Sequence, residues 1–131
     1  MTVRHFVIAA ASAVVLFAAG AASAAEYRPF SRQDFAAAQA AGKPIVVDVF
    51  ATWCPTCKAQ EPIMKQLSSA PKFDKLLIFR LDFDTQKPEW RKFKVWRQST
   101  FIAFRGRRET GRSIAETDPE ALERLLDTTI Q

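Results

Sequence analysis

The chain has 131 residues, with 19 lysines and arginines against 14 acidic residues, a formal net charge of +5. That length allows one small domain, and so mild a basic excess does not by itself indicate nucleic acid. Two cysteines and a single histidine, His5, are too few for a tetrahedral zinc site unless two chains share four thiolates.

The first stretch does not read as part of the fold. Arg4 and His5 make a basic start, Phe6 to Ala19 is almost uninterruptedly apolar, Gly20 breaks it, and Ala22-Ser23-Ala24 is a small-x-small cleavage pattern. The apolar run falls short of the roughly 20 residues that span a bilayer. A secretory signal over residues 1–24 is expected, which places the protein in the periplasm or otherwise outside the cytoplasm; an uncleaved anchor is the alternative. The domain is then 25–131. Losing Arg4 leaves 18 basic residues against 14 acidic ones, and His5 is lost as well. The remaining domain has no imidazole for catalysis or metal binding.

Phe30 to Phe35 predicts a helix start: Ser31 caps, Asp34 sits at the third helical position, and Phe30 and Phe35 form a hydrophobic staple. The alanines that follow favour helix until Gly42 and Pro44. Ile45 to Phe50 is a β-branched and aromatic run, as in a strand buried on both faces. Asp48 interrupts it, and a lone carboxylate there is costly without a partner or a task. Lys58 to Ser69 has helical character, with Pro62 placed to kink it. Leu76 to Phe83 reads as a second strand and Pro88 to Phe93 as a short helix. Phe101 to Phe104 and Glu109 to Ser113 flank Arg105-Gly106-Arg107-Arg108, a hairpin with a basic tip. Asp118-Pro119-Glu120 opens a last helix whose apolar face is Leu122, Leu125, Leu126 and Ile130. This order implies an α/β fold: a mixed central sheet, parallel at its centre and antiparallel at one edge, with helices on both faces.

The chemistry lies at Cys54-Pro55-Thr56-Cys57. A bridge closing so short a loop removes little entropy from the unfolded chain, so the pair is kept for reactivity. Cys54 stands where a buried strand ends and a helix begins. There the unpaired N–H groups and the helix dipole favour a thiolate. Pro55 fits the first helical position. On this geometry Cys54 is the exposed nucleophile, and Cys57, one turn in and shielded by the helix, resolves the mixed disulfide. Lys58 rather than histidine follows Cys57, which excludes a covalent haem site. No cofactor is called for.

Val47 to Met64 resembles the active-site region of the thioredoxin superfamily. Trp53 directly precedes the first cysteine, Asp48 lies six residues before it, and Pro62 lies eight after it. The order of elements extends the likeness over nearly all of the domain and implies a thioredoxin-like fold. The resemblance gives Asp48 a catalytic role: desolvation raises its pKa and lets it exchange the proton of Cys57. A core carboxylate satisfied by a backbone N–H is the plain alternative. Arg80 resembles the family's basic residue near that aspartate, or is an ordinary solvated charge. Trp53, Pro55 and Thr56 would form the substrate-docking rim, although Trp53 also suits a core cover.

The likeness departs at Gln98-Ser99-Thr100-Phe101-Ile102. The family has a cis-proline where Ser99 stands. A cis bond before a non-proline residue costs about 3–4 kcal/mol, so a trans bond and a different loop are expected. Ser99 and Thr100 are carried over as the substrate-facing loop. The basic cluster Arg91, Lys92, Lys94 and Arg97, interleaved with Trp90, Phe93 and Trp96, is read as a solvated face on a helix packed to the core, not as a nucleic-acid platform.

The resemblance implies an exported thiol–disulfide oxidoreductase acting as a monomer on protein thiols and disulfides. Pro55-Thr56 is similar to the dipeptide of reducing thioredoxins of cytochrome c maturation, while a proline in first position also occurs in strong oxidants. Asp48 matches the reducing branch, and the balance leans to a reductase served by a membrane thiol donor. The alternatives are a disulfide donor of the same fold, metal binding through the thiolates of two chains, or a module that holds a client without turnover.

Overall fold

The structure, a computed structural model, describes residues 24–131. Apart from Ala24, the expected signal segment lies outside the described residues. These form β1 (Glu26–Pro29), α1 (Arg32–Ala40), β2 (Pro44–Phe50), α2 (Pro55–Ser68), a 3-10 turn at Pro71–Phe73, β3 (Leu77–Asp82), α3 (Lys87–Lys92), β4 (Thr100–Arg105), β5 (Arg108–Ile114) and α4 (Pro119–Asp127). Among them no helix is long and apolar enough to cross a membrane.

The strands make one sheet in the order β1-β3-β2-β4-β5. The β1–β3 and β3–β2 pairs are parallel, and β2–β4 and β4–β5 are antiparallel. This is the predicted mixed sheet with one addition. β1 has no counterpart among the elements read from the sequence, because Glu-Tyr-Arg-Pro has no apolar alternation; pairing with β3 holds it as a strand.

Side chains alternate across the sheet, and the alternation divides the core in two. Ile45, Val47 and Val49 of β2 join Leu77, Phe79 and Leu81 of β3 beneath α1 and α3. On the opposite face Val46 and Ile78 meet Met64 of α2 and Leu122 and Leu126 of α4. Asp48 follows Val46 by two and Arg80 follows Ile78 by two, so both belong to this second face, and they are direct register partners.

Local signals explain the ends of the helices. Ser31 Oγ accepts from Asp34 N–H at 3.0 Å, and the Phe30 and Phe35 rings lie 5.6 Å apart, the expected cap and staple. Asp118 caps α4 by accepting from Glu120 and Ala121. The last helix ends at Asp127, so Ile130 lies beyond it and is exposed rather than part of the apolar face. Trp90 does pack onto the core, stacked on Phe83 at 4.6 Å and donating to its carbonyl. Trp96 instead projects into solvent, with Arg97 over its ring.

The hairpin is tighter than expected: Arg105 pairs with Arg108 across a loop of Gly106 and Arg107. Gly106 has φ +58°, and a Cβ there would stand 3.2 Å from the Gly42 backbone. A two-residue loop with glycine first suits a type II′ turn. Gly106→Ala should therefore cost about 1–2 kcal/mol, read as a lower urea midpoint at unchanged m-value. An unchanged midpoint would show that the turn relaxes freely.

Candidate active site

β2 delivers the chain to the N-terminus of α2, where Cys54 is the capping residue and Pro55 takes the first helical position. The missing N–H of Pro55 is one that no helix needs there. The Cys54 sulfur replaces a capping oxygen and accepts from Cys57 N–H at 3.1 Å. Pro62 lies inside α2; having no N–H, it leaves the Lys58 carbonyl without its usual helical donor. Both cysteines are free thiols.

Burial opposes ionisation of Cys54, but hydrogen bonds from the Cys57 thiol, the Ser99 hydroxyl and the Cys57 backbone outweigh it and bring its pKa below the ordinary value. Cys57 moves the other way: burial, and then its hydrogen bond to Cys54, raise its pKa. One acidic and one reluctant thiol therefore stand three residues apart.

The expected exposures are reversed. Cys54 is 1% exposed, whereas Cys57 is only partly buried. The reason lies in the loop before β4. Ser99, itself fully buried, lies over the pair, its Oγ 3.0 Å from the Cys54 sulfur and 3.2 Å from that of Cys57. No cis peptide occurs among the described residues, so the bond before Ser99 is trans, as expected; Ser99 instead takes φ +60°. That left-handed conformation costs a non-glycine residue on the order of 1 kcal/mol. The Ser99 carbonyl accepts from Ala115 N–H at 2.8 Å. Thr100 is also buried, its hydroxyl donating to the Arg97 carbonyl.

Behind Cys57 is a narrow pocket lined by Asp48, Cys57, Gln60, Glu61, Arg80 and Phe101, among others. It leaves about 10 Å³ for the centre of a water molecule, room for about one. Asp48 Oδ2 lies 3.0 Å from Arg80 Nε, with the two side chains 14% and 29% exposed. The contact is a charge contact without hydrogen-bond alignment, since Arg80 Nε has no hydrogen-bond partner among the described residues. The Arg80 guanidinium also lies 4.0 Å over the Phe50 ring. Burial outweighs the attraction of Arg80 and raises Asp48 from 3.8 to about 6.

A five-stranded mixed sheet carrying a Cys-x-x-Cys pair at the mouth of its second helix has a direct match among known families. The thioredoxin family profile covers residues 26–128. The chain belongs to the thioredoxin family. Relatives in this family are protein disulfide oxidoreductases. The chain is 32% identical over 96 residues to a bifunctional thioredoxin reductase/thioredoxin of Mycobacterium leprae, covering 73% of this chain and 21% of that protein. It is 34% identical over 86 residues to thioredoxin H2-1 of rice, covering 66% of this chain and 60% of that one. The chain thus spans about a fifth and about three fifths of the length of these two relatives. Among solved structures, Trxlp of Edwardsiella tarda is 44% identical with a TM-score of 0.75, covering 77% of this chain and 98% of that one.

Within this thioredoxin framework the predicted residues divide into three groups. Cys57, Asp48 and Arg80 line one pocket, and Ser99 joins Cys57 to Cys54. Trp53 stands at the rim, 55% exposed and donating to Asp84 Oδ2 at 2.9 Å, next to exposed Pro55 and half-buried Thr56. Trp53 is therefore a rim residue and not a core cover. Ser99 and Thr100 face inward. Gln60 was not legible in the sequence. Buried in α2, it donates to the Glu116 carbonyl at 2.9 Å and approaches the Ser99 carbonyl at 3.5 Å, tying the helix to the Ser99 loop. Its only signal is its spacing on the helix face of Cys57 and Met64, a pattern shared by ordinary core positions.

Proposed function

We propose that this protein is an exported thiol–disulfide oxidoreductase that reduces disulfides in other proteins. The observation that carries the reading is the asymmetric pair: an acidified Cys54 at a helix N-terminus, and a reluctant Cys57 sharing a pocket with Asp48. Acidity decides the order of events, because the thiolate and not the thiol is the nucleophile. Cys54 is the attacking sulfur although Cys57 is the more exposed.

The Cys54 thiolate attacks one sulfur of a substrate disulfide. A Cys54–substrate bond forms, the substrate S–S bond breaks, and the departing thiolate takes up a proton. Cys57 then gives its proton to the Asp48 carboxylate, directly or through a water in the pocket, and attacks the Cys54 sulfur. The mixed disulfide breaks, the second substrate thiolate leaves, and Cys54 and Cys57 end as a disulfide. Two electrons have passed to the substrate, and an external dithiol must return them. Trp53, Pro55 and Thr56 form the surface on which the substrate docks, with Ser99 and Thr100 beneath it. The protein works as a monomer.

Export is supported by the basic start, the apolar run and Ala22-Ser23-Ala24. A reductase outside the cytoplasm needs a renewable source of electrons, so the donor is a membrane thiol protein. The equilibrium reduction potential of the Cys54–Cys57 pair tests the direction. A value near or below roughly −250 mV is expected, whereas one near −120 mV would make the protein a disulfide donor.

A further inference from the structure

The Ser99 hydroxyl has hydrogen-bond contacts only with the two sulfurs among the described residues. It has one proton to give and lone pairs to receive another. With the charge on Cys54 every group is satisfied: Ser99 donates to the Cys54 anion, and the single proton of the Cys57 thiol goes to Ser99 Oγ or to Cys54 itself. The Cys57 N–H at 3.1 Å reinforces the anion. In the opposite arrangement that N–H would face a neutral thiol, and the Cys57 thiolate would share its pocket with Asp48. The hydroxyl is also held in place. Ser99 is fully buried, and its left-handed backbone is tied by Ala115 N–H, with the Gln60 amide close by.

We propose that Ser99 is a positioning residue for disulfide exchange: its hydroxyl bridges the two sulfurs, directs the negative charge to Cys54, and favours the dithiol over the disulfide. This rests on the oxidoreductase reading above. The bias follows from acceptor strength. A thiolate accepts a charge-assisted hydrogen bond, whereas the neutral sulfurs of a disulfide are weak acceptors. Stabilising the reduced form makes a pair more oxidising, so Ser99 raises the potential that the rest of the site sets.

The test uses Ser99→Ala and Ser99→Gly in the full chain. The thiolate's ultraviolet absorbance is followed against pH, and the pair is equilibrated with reduced and oxidised glutathione. In both variants Cys54 should ionise about 10- to 100-fold less readily, the loss expected for a hydrogen bond to a charged group. The glutathione equilibrium should shift toward the protein disulfide by a factor approaching that one, each tenfold being 29.6 mV. Ser99→Gly adopts the left-handed backbone without strain, so it decides the matter if Ser99→Ala does not fold. Folded variants that titrate and equilibrate like the native chain would overturn the assignment. If the native chain exchanges no disulfide with a protein substrate, the oxidoreductase reading fails instead, and the titration still reports whether Ser99 acts on the thiolate.

Discussion

Cys54→Ser should abolish reduction of a protein disulfide, by on the order of 10³-fold or more, while Cys57→Ser should stop at the first step and accumulate a covalent enzyme–substrate disulfide. The two losses differ because the sulfurs have different tasks. Without Cys54 no thiolate stands at the N-terminus of α2, where the Cys57 N–H and the Ser99 hydroxyl converge. Cys57 cannot substitute, since it lies one turn inside the helix and burial, the largest cause of its raised pKa, is still present. Without Cys57, attack still occurs but the mixed disulfide has no internal thiol to release it. Non-reducing gels and mass spectrometry of the two variants incubated with a disulfide-bonded protein separate the outcomes. Limited alkylation of the reduced native protein gives a further check, with Cys54 modified first. Modification of Cys57 first, or trapping by Cys54→Ser, would reverse the assigned order.

Asp48→Asn should make the protein more stable and slower. Asp48 titrates at about 6 in the fold against an ordinary 3.8. Between those values the folded chain holds a proton that the unfolded chain has lost, so stability falls as pH rises through this window. Above about pH 6 the whole cost is present, up to about 3 kcal/mol for a gap of this size. Asparagine removes the ionisation. The variant should gain up to that amount at pH 8 and nothing near pH 3, measured as urea midpoints across pH. Arg80 does not reverse the sign, because its attraction is already counted in the raised value. The cost to function is the lost proton acceptor for Cys57, about 10²-fold in the resolving step, together with loss of the rate inflection near pH 6. Equal stability of the two proteins at pH 8 would show that Asp48 is solvated, and an unchanged resolving rate would remove it from the chemistry.

Some of this architecture is legible residue by residue. The Ser31 and Asp118 caps, the β-branched run of β2, Pro55 at a helix start and the Leu122, Leu125 and Leu126 part of the α4 face are local signals, and each appears where expected. Spacing also singled out Asp48 as a carboxylate in an otherwise apolar strand, and the structure places it against Arg80. β1 was invisible because nothing within its four residues favours a strand over a loop. Ile130 was misplaced because helical periodicity does not reveal that the helix has ended at Asp127.

The sequence by itself determined the redox pair, the helix that it opens and the family to which the chain belongs, because all three depend on residues within a few positions of Cys54. Tertiary structure decided which sulfur is covered and what covers it. Ser99 lies 45 residues from Cys54 in the chain, yet its hydroxyl reaches both sulfurs at about 3 Å. That meeting depends on the β2–β4 pairing, on a left-handed residue in place of a proline, and on Gln60 holding the loop against α2. The pairing of Asp48 with Arg80 likewise comes from the register of two parallel strands. Long-range register and loop closure are set by the packing of the whole sheet, and no local pattern of residues encodes them.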